Sequence, residues 1–336
     1  MNRIAMLGAG SMLLAGALAA LPATAGAQTA REEKTLLVEE HFTGAEITDA
    51  NFHSLNACLT ASTAVAGGDG FGSCAGEAVG PVPESGRTPG YLQLTDTEKY
   101  DYGGIVYNKA LENEGGIEVT FAQYQYGGTG ADGISFFIVD GDTDLTEVGA
   151  YGGSLGYAQF DREDIKRDGV DGGYLGLGLD AWGNFSADTE GRGSGCPEDH
   201  RAPDHLQATL NRAPDNVALR GPGQGVEGYC LIATSATDEK IGEYGDGDVF
   251  GTDFPESLRA ETLDDAKRLV KLKISDDAKP KVTVDIDFFD GGGWVRVLES
   301  RMPVEAPETF KFGFASSTGG ATDVHLLRHL RVSTFK

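Results

Sequence analysis

The sequence predicts an all-β fold, a sandwich of two antiparallel sheets, from three observations. Short runs alternate apolar and polar residues. In 117–126, Ile117, Val119 and Phe121 alternate with Glu118 and Thr120; in 268–274, Val270, Leu272 and Ile274 alternate with Lys271 and Lys273. Glycine, 49 of 336 residues, is spread between these runs, where tight turns need it. Helical periodicity is nearly absent, and only 255–267 reads as a short helix.

Taken in order, the first strand is expected at 36–42, followed by short strands at 90–95 and 104–107. The alternating run 117–126 comes next. Residues 134–139 are apolar throughout, as a central strand covered on both faces would be. Further strands are expected at 174–179, 217–220, 229–233, 268–274, 282–288, 294–298, 310–314 and 330–334. Phe288 to Trp294, with Asp290 and three glycines between, reads as a hairpin turn. Long insertions fall at about 58–90, 188–215 and 235–262, lengths common in functional loops.

Residues 1–27 read as a secretory leader. Arg3 supplies the positive start, Ile4 to Leu21 the apolar stretch, and Ala23-Thr24-Ala25 or Ala25-Gly26-Ala27 the small-residue cleavage site. Residues 28–336 then form one domain, secreted or periplasmic and compatible with the cell surface. No later stretch has the length of a membrane helix. With 52 acidic and 27 basic residues, a formal charge of -25, the chain lacks the basic stripe that nucleic acid or an anionic membrane demands. The four cysteines, in an exported chain, point to two disulfides. Three pairings are open. The sequential one, Cys58–Cys74 with Cys196–Cys230, is favoured among them, and the alternative of a four-cysteine zinc site is disfavoured because no CxxC is present.

The stretch 124–188 organises the rest. A glycine-rich loop ends in Ala131-Asp132-Gly133 before the run 134–139. A glycine turn, Gly152-Gly153-Ser154-Leu155-Gly156, follows. Then the strand 174–179 opens into Asp180-Ala181-Trp182-Gly183-Asn184, with Asp188 beyond. Asp180, Asn184 and Asp188 are oxygen donors at i, i+4 and i+8, the hard ligands that Ca2+ prefers, and the Trp182 carbonyl lies between them. Gly128 to Gly133 also matches GxGxxG, but a strand rather than a helix follows, which argues against a dinucleotide site. Asp140-Gly141-Asp142-Thr143-Asp144 and Asp246-Gly247-Asp248 do not complete an EF-hand.

These segments, with Ile134-Ser135-Phe136-Phe137-Ile138 and Phe312 to Gly320, resemble the L-type (legume-like) lectins, in particular their secreted bacterial relatives. The order is kept from about Glu40 to Lys336. The resemblance implies a concanavalin A-like jelly roll that binds a glycan beside calcium, without catalysis. It implies Asp132, Gly153 and Asn184 as polar sugar contacts and Trp182 as the stacking aromatic. It implies Asp180, the Trp182 carbonyl, Asn184 and Asp188 as calcium ligands, and a cis peptide between Ala131 and Asp132. The family's second, transition-metal site uses a Glu where this chain has Gly178, and its His has no clear match near Gly195 or His200.

Two other readings stand beside this one. A glycoside-active enzyme could use the same sandwich, although no Glu-x-Asp-x-x-Glu pattern on one strand supplies the paired carboxylates, and no HExxH occurs. A structural or adhesive surface protein could keep the fold without sugar binding.

Overall fold

Every run singled out above for strand character falls on a strand of the computed structural model, which describes residues 32–65, 70–74, 76, 78–202 and 212–336. The expected leader, 1–27, lies outside the described residues. In chain order the first strands are β1 (Lys34–Glu40), β2 (Phe52–Leu55), β3 (Cys58–Leu59), β4 (Leu92–Thr95), β5 (Tyr102–Glu112), β6 (Gly116–Tyr126) and β7 (Gly133–Asp140). Next come β8 (Phe160–Arg162), β9 (Ile165–Arg167), β10 (Gly173–Asp180), β11 (Asn216–Arg220), β12 (Gly223–Gln224), β13 (Glu227–Gly228) and β14 (Leu231–Thr234). The last are β15 (Ala236–Tyr244), β16 (Gly247–Thr252), β17 (Lys267–Ile274), β18 (Lys281–Asp287), β19 (Trp294–Arg301), β20 (Thr309–Ser317) and β21 (Val324–Phe335).

Two large antiparallel sheets make the expected jelly-roll sandwich. The eight-stranded sheet runs β19-β18-β17-β6-β21-β4-β3, with β1 also on β21; the nine-stranded sheet runs β13-β12-β10-β7-β20-β5-β2, with β11 on β10 and β14 on β11. The main core lies between them. Phe121 of the first sheet meets Phe136 and Phe314 of the second, with ring centroids 6.2 and 4.9 Å away.

The nine-stranded sheet is covered on its other face too, which is why β7 is apolar throughout. Ile134, Phe136 and Ile138 enter the main core, while Phe137 and Val139 enter a second core with Tyr157, Phe185 and Tyr229. Strand β10 solves the same problem with glycine. Leu175, Leu177 and Leu179 face the main core, while a Cβ at Gly176 would stand 2.2 Å from the Tyr157 ring and one at Gly178 would stand 2.3 Å from the Phe185 ring. Rings lying flat on the sheet need those positions bare.

The disulfides pair Cys58 with Cys74 and Cys196 with Cys230. Residues 288–294 turn β18 into β19. The helix expected at 255–267 is absent. Its backbone is drawn to tertiary partners instead: Leu258 N–H donates to Asp215 at 2.6 Å, Ala260 N–H to the Gln125 carbonyl at 3.0 Å, and the Leu258 carbonyl accepts from Gln123 at 2.9 Å. The insertion 235–262 instead carries the β15–β16 hairpin, with Asp246 in its turn.

Candidate functional site

The site assembles at the end of the nine-stranded sheet where the 127–133 loop, the 152–156 turn, the 180–188 loop and the 317–322 loop meet. The first of these is tied down by charge. Arg259 donates to both oxygens of buried Asp323 at 2.8 and 2.9 Å, and Asp323 accepts the Gly128 N–H at 2.9 Å. The Ala131–Asp132 peptide is cis. Asp132 N–H donates to the Ser317 carbonyl and its own carbonyl accepts from Trp182 N–H, each at 2.8 Å. Ser317 Oγ donates to Asp132 Oδ2 at 3.0 Å and accepts from Gly152 N–H at 2.9 Å. Gly153 abuts Asn184, whose amide a Cβ would meet at 2.5 Å. The four residues expected to touch sugar therefore form one cluster, in which Ser317 ties Asp132 to the 152–156 turn.

Burial sets the charge states. Asp132 has its carboxyl pushed up to about 6, mainly by burial, against the lowering effect of the Ser317 bond and of Arg192. Asp180 is wholly buried and is pushed up to about 7, again mainly by burial, although it accepts from Gly183 N–H at 2.7 Å and Phe185 N–H at 2.6 Å. Two fully buried arginines offset this negative charge. Arg192 reaches Ser154 Oγ at 3.3 Å, Glu190 at 3.1 Å and the Ala187 carbonyl at 3.2 Å. Arg220 donates to Asp188 Oδ1 and to the carbonyls of Phe185, Ala187 and Tyr229, at 2.7 to 2.9 Å.

The expected calcium donors differ in how far they are already used. Among the described residues, Asn184 Oδ1 and Asp188 Oδ2 are buried acceptors with no hydrogen bond, the latter 3.6 Å from Arg201. Unsatisfied buried acceptors of this kind call for a cation or water. Asp180 has both oxygens on backbone N–H groups, and the Trp182 carbonyl accepts from Arg212 Nε at 2.5 Å. All four donors are hard oxygens, the type Ca2+ takes, and two of the four are already engaged. No group of three His, Cys, Asp or Glu gathers anywhere among the described residues. A transition metal beside Gly178 does not fit, because the Phe185 ring fills the space a Glu side chain would need.

Trp182 is half-buried, and the Arg212 guanidinium lies 3.6 Å from its ring centroid. Tyr244, at the tip of the β15–β16 hairpin, meets the indole edge-on at 5.5 Å. The guanidinium therefore covers one face of the indole. Sequence reasoning missed Arg192, Arg212, Arg220 and Tyr244; Ser317 was visible only as part of the 312–320 motif.

No family model matches the chain, and no curated protein does. Solved structures do. The exoplasmic/lumenal domain of VIP36 in its Ca2+/Man3GlcNAc-bound form is 14% identical, with a TM-score of 0.42 over 73% of this chain and 81% of that one. Peanut lectin with a 9mer peptide is 17% identical, with a TM-score of 0.45 over 90% of this chain and 99% of that one. Lectin II from Ulex europaeus is 12% identical, with a TM-score of 0.47 over 89% of this chain and 100% of that one.

Proposed function

We propose that this is an exported, non-catalytic carbohydrate-binding protein whose sugar site is built from Asp132, Gly153, Asn184 and Trp182. One observation carries the reading: a carboxylate, a glycine packed on a side-chain amide, and a half-buried indole come together. A sugar ring asks for this set. Its hydroxyls need a charged acceptor and an amide that both gives and takes, and its apolar face needs an aromatic surface. Asp132 would accept sugar hydroxyls, Asn184 would orient the ring, and Gly153 would let it approach the backbone.

Calcium would be held by Asp180, Asn184 Oδ1, Asp188 and the Trp182 carbonyl, where it would fix the loop that presents Asn184. The two unsatisfied oxygens of Asn184 and Asp188 support this. A second reading, metal-independent sugar binding, is favoured by Arg220 on Asp188 and Arg212 on the Trp182 carbonyl, since guanidinium groups already neutralise those donors.

Thermal unfolding with and without calcium, run beside a glycan array in both conditions, tests the proposal. A ligand at a hundredfold its dissociation constant stabilises the folded state by about 2.7 kcal/mol. A calcium-dependent rise in Tm with calcium-dependent glycan signals supports the first reading. Glycan signals unmoved by chelator support the second. Absence of any glycan signal contradicts both.

A further inference from the structure

A groove of about 860 Å³ is formed by the 144–151 loop, the 166–171 segment and the start of β5. Its size is that of a pocket for a small organic ligand. It is joined to the proposed sugar site through the backbone. Tyr151, in its wall, is followed by Gly152, which donates to Ser317 Oγ at 2.9 Å, and Ser317 in turn contacts Asp132. Strand register supplies the other wall, because Tyr102 on β5 stands opposite Ser317 on β20.

The groove carries an aromatic surface. The Tyr102 and Tyr151 rings stack with centroids 4.0 Å apart and planes 28° apart, and Tyr102 keeps 39% of its surface open. An aromatic face with a polar rim suits the apolar face and hydroxyls of a sugar ring. The charge of the rim narrows the class. Asp144, Glu147, Asp168 and Asp171 line it against Lys166 and Arg167, and Lys166 is paired with Asp161 at 2.9 Å. Such a rim repels carboxylated or sulfated sugars.

We propose that this groove is a second subsite, taking an uncharged sugar residue of the same oligosaccharide whose neighbouring residue sits at Asp132 and Asn184. The inference rests on the carbohydrate-binding reading above. Linking the two contacts makes the second one intramolecular, so affinity grows with chain length.

The test titrates the full mature chain with neutral mono- to tetrasaccharides of glucose, mannose and galactose, and with their uronate-containing counterparts. The expected result is an affinity gain of tenfold or more from mono- to oligosaccharide in one neutral series, with uronate forms weaker. Tyr102→Ala should erase the gain and leave monosaccharide affinity unchanged. Glu147→Ala, at an exposed position, should weaken only the longer glycans and serves if the first variant does not fold. Equal affinity for mono- and oligosaccharides, tighter binding of uronates, or equal losses for both lengths in Tyr102→Ala would overturn the subsite while leaving the primary site standing. Absence of binding by every sugar would overturn the carbohydrate reading and the subsite with it.

Discussion

Gly153 stands so close to Asn184 that a Cβ added to it would lie 2.5 Å from Cγ, Nδ2 and Oδ1 of the amide. The obstacle is the far end of a flexible side chain, so the amide would yield rather than the backbone. We expect Gly153→Ala to lower glycan affinity at least tenfold, about 1.4 kcal/mol, with little change in Tm. Calorimetric titration and a melting curve on the same sample check it; unchanged affinity would separate Asn184 from sugar recognition.

Asp132→Asn should trade stability against binding. An acid whose folded-state value lies above its unfolded value adds stability in acid and loses it as pH rises through the folded value. For Asp132 that loss spans about pH 4 to about 6. Above pH 6 the ionised, buried carboxylate therefore costs up to about 3 kcal/mol, from roughly two units of displacement. The amide should raise Tm at pH 7.5 and weaken glycan binding, since it is the poorer acceptor. A lowered Tm would show that the carboxylate stabilises the loop.

Arg220 is the buried cation that pairs with Asp188 of the 180–188 loop. Arg220→Met removes the donor to Asp188 and to three carbonyls, and should cost about 3–5 kcal/mol by denaturant unfolding, as breaking a buried pair does. In Arg220→Met/Asp188→Asn the two losses should be strongly non-additive, because the second change removes the charge that the first left unpaired. Simple additivity would mean that the pair is not coupled.

His325 should make the fold acid-sensitive. It is wholly buried beside Thr95 Oγ1 at 2.6 Å, and burial, partly countered by Asp323, pushes it down to about 4. A depressed folded value gives stability that is complete above about pH 6.5 and lost as pH falls toward 4. Tm followed from pH 7 to 4 should fall less steeply in His325→Gln than in the wild type. Raised Asp132 and Asp180 act in the opposite sense and are common to both proteins. Parallel curves would contradict the assignment to His325.

The strands were legible because each has a face or two faces to bury, and burial leaves a period in the sequence. Phe136 and Phe137 point to different cores, so their run reads as a central strand. The β15–β16 hairpin left no such period, as β15 is mostly exposed. Residues 255–267 carry helical spacing, but their hydrogen bonds go to Asp215, Gln123 and Gln125, partners that no local pattern reveals. The clustering of Asp132, Gly153, Asn184 and Trp182 was legible through motif order. The guanidinium groups were not. Arg192 lies in the same loop, but Arg220 comes from β11, and its register opposite Gly176 is what carries it to Asp188. Gly178 could be read only as a missing Glu; its reason, the Phe185 ring lying against β10, is tertiary.

The most direct test of the central claim is titration of the strongest array glycan into wild type, Asp132→Ala and Asn184→Ala, each first shown to unfold cooperatively. The account predicts saturable binding to the wild type and loss of it in both variants. Full binding retained by both would contradict it.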